Sequence, residues 1–287
     1  MKHKRTYDID LNKLVYQTIK FLRNNDVPEH WSRTKNERYS VHIMAVFYVL
    51  FCLSDRSYRR FEKLIPSCPP TSLKLEKYPD FTTMWRAWRR FSPSFLRKLI
   101  QRSGKGGRDK VAALDPTHFQ ITSPSLAYCK RAKRNPLREP NRKTTIVTGT
   151  RSLRILDAII FKDSHRNGLD DLPKLLGSWV KGKTVAADTE FDAEERFHQV
   201  VIAKGGKGVS PLRHKDIPVH RTKGSRRKQL RRKWPGRSYH RRPLAETANS
   251  MLKRGMGETL RGNTVWQQAR HFYAKCLTHN LIMRCQK

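Results

Sequence analysis

Val111-Ala112-Ala113-Leu114-Asp115 and Thr184-Val185-Ala186-Ala187-Asp188 share one pattern, a short apolar run that ends in an acid. Runs of four or five apolar residues suit strands buried on both faces, and their length is too short for a helix. Between them, residues 144–150 and 154–161 also read as strands, with Thr150-Arg151-Ser152 as a hairpin turn. Residues 169–180 and 193–201 read as helices, and Gly208-Val209-Ser210 as a brief strand. The order strand, hairpin, helix, strand, helix, strand, helix predicts an α/β domain with a mixed sheet.

Upstream the pattern changes. Leu11, Leu14, Val15, Thr18, Ile19 and Leu22 recur at three and four residues, which predicts an amphipathic helix. Further helices are expected over 37–53, 58–65 (stopping before Pro66), 82–91 and 94–102, the last with Ser92 as N-cap and Pro93 in its first turn. Trp85 and Trp88 with Arg86, Arg89 and Arg90 fit either a DNA-reading helix or a core helix with a basic face. Ser103-Gly104-Lys105-Gly106-Gly107-Arg108 reads as a linker. The expected layout is a helical, DNA-binding region over 1–103, a linker over 104–110 and a catalytic domain over 111–287. The apolar segment 265–283 is expected to be a buried helix closing that domain.

The 287 residues carry 61 Lys and Arg against 24 Asp and Glu, a net charge of +37. A charge of this size opposes compaction unless a polyanion neutralises it, and it points to nucleic acid. It argues against a metabolic enzyme of small neutral substrates. The 37% hydrophobic content excludes a disordered chain. Two basic runs interrupt the α/β region, seven Lys/Arg over 130–143 and eleven over 213–237. In the second, Arg226, Arg227, Lys228, Arg231 and Arg232 are expected to meet phosphates. Five cysteines without a C-x2-C pair make a disulfide framework or a zinc site improbable. The first residues lack the apolar stretch of a secretory signal, and the run 41–53 is too short to span a bilayer. An intracellular protein with no membrane partner is expected.

Acids are scarce after the linker, with 14 against 37 Lys and Arg over 111–287. Asp115 and Asp188 are expected at strand ends, where open α/β sheets place ligands. Glu190 and Asp192 compete with Asp188, which is preferred because it terminates the apolar run. From 217 onward the acids are Glu246 and Glu258. Glu246 falls on a helix that starts near Pro243, with Leu244, Ala248, Met251 and Leu252 as its expected buried stripe. Glu246, Lys253 and Asn249 are expected on the opposite side. Three carboxylates on two strands and a helix suit two divalent ions, and hard oxygen ligands select Mg²⁺ or Mn²⁺. In so basic a chain that is phosphodiester chemistry.

At these residues the sequence resembles the DDE transposases of bacterial and archaeal insertion sequences. Tyr239-x2-Arg242-x3-Glu246-x6-Lys253 fits that group's Y-R-E-K signature without a gap. Asp115 matches the first acid and Asp188 the second. The resemblance implies a ribonuclease-H-like mixed sheet flanked by helices, preceded by an all-helical region. It implies that Asp115, Asp188 and Glu246 hold two metal ions, and that Tyr239, Arg242 and Lys253 contact phosphates of the transposon end. The implied reaction is cleavage of transposon ends in double-stranded DNA, then joining of the 3′-OH to target DNA. A dimer or higher oligomer on DNA, in a prokaryotic cytoplasm at the nucleoid, belongs to the same expectation. A non-catalytic DNA-binding relative and a nuclease of the same fold are the alternatives.

Overall fold

The computed structural model describes residues 7, 9–31, 38–73, 75–121, 131, 141–161, 168–214 and 216–286. The first four residues after Met1, most of the basic run 130–143, and His165 with its neighbours lie outside the described residues. Among the described residues the longer helices are α1 (Leu11–Arg23), α2 (Val41–Ser54), α3 (Tyr58–Ser67), α4 (Phe81–Arg90), α5 (Pro93–Gly104), α6 (Ser225–Arg232), α7 (Pro243–Met256) and α8 (Val265–Cys285). The main path of the sheet is made by β1 (Val111–Ile121), β2 (Asn141–Gly149), β3 (Ile155–Ile160), β4 (Thr184–Ala186) and β5 (Lys207–Val209). By its contacts the chain divides into two compact units, Met1–Ser103 with Met251–Lys287, and Gly104–Ser250.

The first unit is helical, and its helix starts are capped as the sequence requires. The Asp10 carboxylate accepts from the amides of Asn12 and Lys13 at 2.8 and 3.1 Å. Ser92 Oγ accepts from Phe95 N at 3.2 Å, ahead of Pro93. Thr264 and Gln267 form a reciprocal capping box at the start of α8. Helix α3 runs through Pro66 to Ser67, because a proline in the last turn removes only one helical hydrogen bond. Helix α8 is buried on nearly every side, and α1 and α2 pack against it. The segment expected to close the α/β domain therefore lies with the N-terminal helices. A helix apolar around its circumference needs neighbours on several faces, and these helices supply them. Trp88 is buried, stacks on Tyr48 at 4.5 Å and donates its indole N–H to Met44 O at 2.9 Å. Of the two readings for α4, the core helix is observed at Trp88. Arg89 instead lies over Trp85 on the outer face.

The second unit is built on a mixed sheet in the order β3-β2-β1-β4-β5. β1 pairs antiparallel with β2, and β2 with β3, which is the expected hairpin. Its turn is held by the Asp109 carboxylate, which accepts from Arg151 N (2.6 Å), Ser152 N (2.8 Å) and Ser152 Oγ (2.7 Å). A Cβ at Gly149 would stand 2.4 Å from that carboxylate, so only glycine fits there. β4 pairs parallel with β1 on one side and with β5 on the other. Ala112, Leu114, Val147, Val185, Phe191 and Phe197 form the core beside the sheet. The helix expected over 169–180 is instead a single α-turn, Leu172–Leu175, between two 3-10 turns. Pro173 and Gly177 interrupt the longer helix.

Candidate active site

Asp115 sits in the middle of β1, not at its end as expected. The strand continues to Ile121 because β2 offers it a partner that far. The parallel partner β4 stops earlier. Its last paired residue, Ala186, lies beside Ala113. Two residues beyond each of these stand Asp188 and Asp115, so the parallel register brings both acids to the end of β4. Asp188 caps the following 3-10 turn, accepting from Thr189 N at 2.5 Å.

Glu246 lies in the first turn of α7. The buried stripe of this helix is Ala245, Ala248, Asn249, Leu252 and Met256. Leu244 and Met251, expected in the stripe, are only half-buried. The stripe is turned from the expected one because Asn249 is drawn inward. Its amide donates to Asp115 Oδ2 at 2.6 Å, and its own Oδ1 is buried without a partner among the described residues. A pattern reading scores asparagine as polar and places it outside, so only its i+3 spacing from Glu246 signalled it.

One side chain collects the three acids. The Arg242 guanidinium donates Nη1–H to Glu246 Oε1 at 2.9 Å. Its Nη2 donates to Asp188 Oδ2 at 3.3 Å and to Asp115 Oδ1 at 3.4 Å. The Asp188 and Glu246 side chains are 48% and 56% exposed, whereas that of Asp115 is 12% exposed. Burial pushes the Asp115 carboxyl above the usual range, and the charges of Glu246 and Asp188 add to that. The Asn249 hydrogen bond and the Arg242 charge oppose it. Tyr239 packs against Trp234 with ring centroids 5.1 Å apart. Its hydroxyl pKa is raised by burial, with Arg242 opposing and Asp188 and Glu246 adding. Lys253 lies two turns further along α7, half-buried.

The competing acids are committed elsewhere. Glu190 pairs with Lys143 at 3.3 Å, and Asp192 is bound by Arg227. Arg227 grips the Asp192 carboxylate with Nε and Nη2, both at 2.8 Å, while Arg213 N adds a third donor at 2.9 Å. Arg226 donates to Gly208 O and Gln229 Oε1, and Arg231 to His214 O. The Glu194 carboxylate, pushed up by burial, is held below the usual range by the amides of Arg226 and Arg227 that it caps. Arg232 is exposed and Lys228 half-buried. The cations of this run therefore hold the fold as well as face outward, a division that composition does not carry.

The donor set of three carboxylates fits hard divalent cations, and a cation already stands among them as the guanidinium. In this arrangement, no three acidic, histidine or cysteine side chains among the described residues are close enough to hold a metal ion. Among the described residues no helix is long and apolar enough to cross a membrane.

The family described as transposase DDE domain matches residues 106–281, well over half of the chain. The chain belongs to this family of insertion-sequence DDE transposases, and its mixed sheet with flanking helices is of the ribonuclease-H-like α/β class. The family implies a metal-dependent nucleic-acid transferase that binds DNA. No curated protein and no solved structure matches the chain.

Proposed function

We propose that this chain cleaves DNA at the ends of an insertion sequence and joins the freed 3′-OH to target DNA. The observation that carries this reading is the convergence of Asp115, Asp188 and Glu246 on one guanidinium, from two neighbouring strands and a helix. These three carboxylates would hold two Mg²⁺ or Mn²⁺ ions. Bound there, the ions would supply activation of the attacking oxygen and stabilisation of the leaving one.

In the first step water forms a P–O bond as the P–O3′ bond breaks, leaving a 3′-OH and a 5′-phosphate. In the second the 3′-OH forms a bond to a target phosphorus, and the target 3′-oxygen leaves as a hydroxyl. Both steps exchange one P–O bond for another and need no oxidant or energy source. Asn249 orients the Asp115 carboxylate by donating to one of its oxygens. Tyr239, Arg242 and Lys253 bind phosphates of the transposon end, and Lys228, Arg231 and Arg232 extend that contact. We assign DNA binding to residues 1–103 and linkage to 104–110. A dimer or higher oligomer working at the nucleoid completes the reading.

The test is incubation of the full chain with a duplex carrying its own terminal repeats, with Mg²⁺ and with EDTA. End cleavage and strand joining that need Mg²⁺ and vanish in Glu246→Ala support the reading. Cleavage without joining would make it a nuclease. Binding without cleavage of any end would leave a non-catalytic DNA-binding protein.

A further inference from the structure

We propose that Arg242 is the built-in counter-cation of the acid trio, which an incoming divalent ion must displace and which is thereby released toward DNA phosphate. This rests on the reading of Asp115, Asp188 and Glu246 as the metal-holding acids. The geometry is that of a placeholder. One guanidinium spans all three carboxylates, yet only the Glu246 contact has the length of a good charge-assisted bond. The contacts to Asp115 and Asp188, at 3.4 and 3.3 Å, are stretched, and the buried Nε has no hydrogen-bond partner among the described residues. A guanidinium well seated for structure uses its fork in pairs, as Arg227 does on Asp192 at 2.8 and 2.8 Å.

Position favours exchange. Arg242 stands just before Pro243 at the start of α7, its amide donating to Tyr239 O and its carbonyl accepting from Ala245 N, so the backbone is held while the guanidinium lies outside the helical hydrogen bonding. Its side chain can swing without breaking a helical hydrogen bond. Mg²⁺ takes carboxylate oxygens at roughly 2.0–2.1 Å, and a guanidinium between those oxygens occupies that space. Asn249, by contrast, is neutral, buried and anchored on the far oxygen of Asp115, so it keeps its bond during exchange. The released guanidinium is left beside bound divalent charge, where a phosphate is its natural partner. Linkage then requires that metal strengthen DNA binding through Arg242 and that DNA strengthen metal binding equally.

The experiment is Mn²⁺ binding to the full chain without DNA, by electron paramagnetic resonance, for wild type, Arg242→Gln, Arg242→Lys and Glu246→Gln. Removing the competitor should tighten Mn²⁺ binding by about tenfold in Arg242→Gln, with Arg242→Lys between it and wild type. In thermal melts Arg242→Gln should fall below wild type in EDTA and gain more than wild type from Mn²⁺. Added Mn²⁺ should raise the affinity of wild type for short duplex DNA more than that of Arg242→Gln. If Glu246→Gln weakens Mn²⁺ binding while both Arg242 variants bind it no better than wild type, the placeholder role is overturned and the acid assignment stands. If Glu246→Gln binds Mn²⁺ as wild type does, the acid assignment itself falls and takes the proposal with it.

Discussion

Replacing Arg227 by glutamine separates two roles that a basic run can have. The Asp192 side chain is fully buried, and Arg227, 20% exposed, is its bidentate partner. Without the guanidinium that carboxylate keeps only the Arg213 amide as a donor among the described residues. Breaking one side of a buried ion pair costs about 3–5 kcal/mol, and the partial exposure of Arg227 sets the lower end, about 3 kcal/mol. The comparison is Arg232→Gln, an exposed cation one turn further on α6. Its stability should stay within about 0.5 kcal/mol of wild type, while the salt dependence of its DNA binding drops by about one phosphate contact. Urea unfolding at pH 7.5 reads the first quantity, and duplex binding across a salt series reads the second. Adding Asp192→Asn to Arg227→Gln should recover part of the loss, because the stranded charge is then gone. A stable Arg227→Gln protein, within about 1 kcal/mol of wild type and with the reduced salt slope, would refute the reasoning. The run would then be a phosphate contact at Arg227 as well.

Burial holds His198 neutral, with its pKa pushed down to about 4. The unfolded chain takes up that proton below about 6.5, so folding stability should fall by about 3 kcal/mol as pH drops from 6.5 to 4. Buried His271, its pKa also pushed well down by burial, acts in the same direction; urea midpoints that stay flat between pH 6.5 and 4.5 would contradict both assignments. Gly224 has φ +92°, and a Cβ there would lie 2.4 Å from the Glu194 carboxyl that caps α6. Gly224→Ala should therefore lower stability by about 2 kcal/mol, checked by the urea midpoint. Asn249→Ala removes the buried donor to Asp115 and should cost about 1–3 kcal/mol in thermal unfolding; a neutral result would mean that the amide does not hold the carboxylate.

The sheet was legible because buried strands write themselves as apolar runs, and Val111–Leu114 and Thr184–Ala187 are such runs. Where β1 would stop was not legible. Beyond Asp115 the strand contains Pro116 and the two consecutive polar residues Thr117 and His118, and only the pairing with β2 shows that it continues. The spacing of Tyr239, Arg242 and Glu246 was visible, but not that Arg242 faces the acids. That contact joins residues 54 and 127 apart in sequence, through a parallel register that one-dimensional spacing does not encode. Composition likewise could not divide the run over 213–237 into cations that hold Asp192 and cations that face solvent. The companions of α8 were hidden for a similar reason: its apolar circumference predicts burial but not the neighbour.

The most direct test of the account is the cleavage rate of terminal-repeat DNA in Mg²⁺ for Asp115→Asn, Asp188→Asn, Glu246→Gln and the triple variant. Groups that act as one unit lose function together rather than additively. Each single variant and the triple variant should therefore fall to the same floor, about a thousandfold or more below wild type, while each still binds the duplex. Wild-type cleavage by any one of the three single variants would contradict the claim that these acids form one catalytic centre.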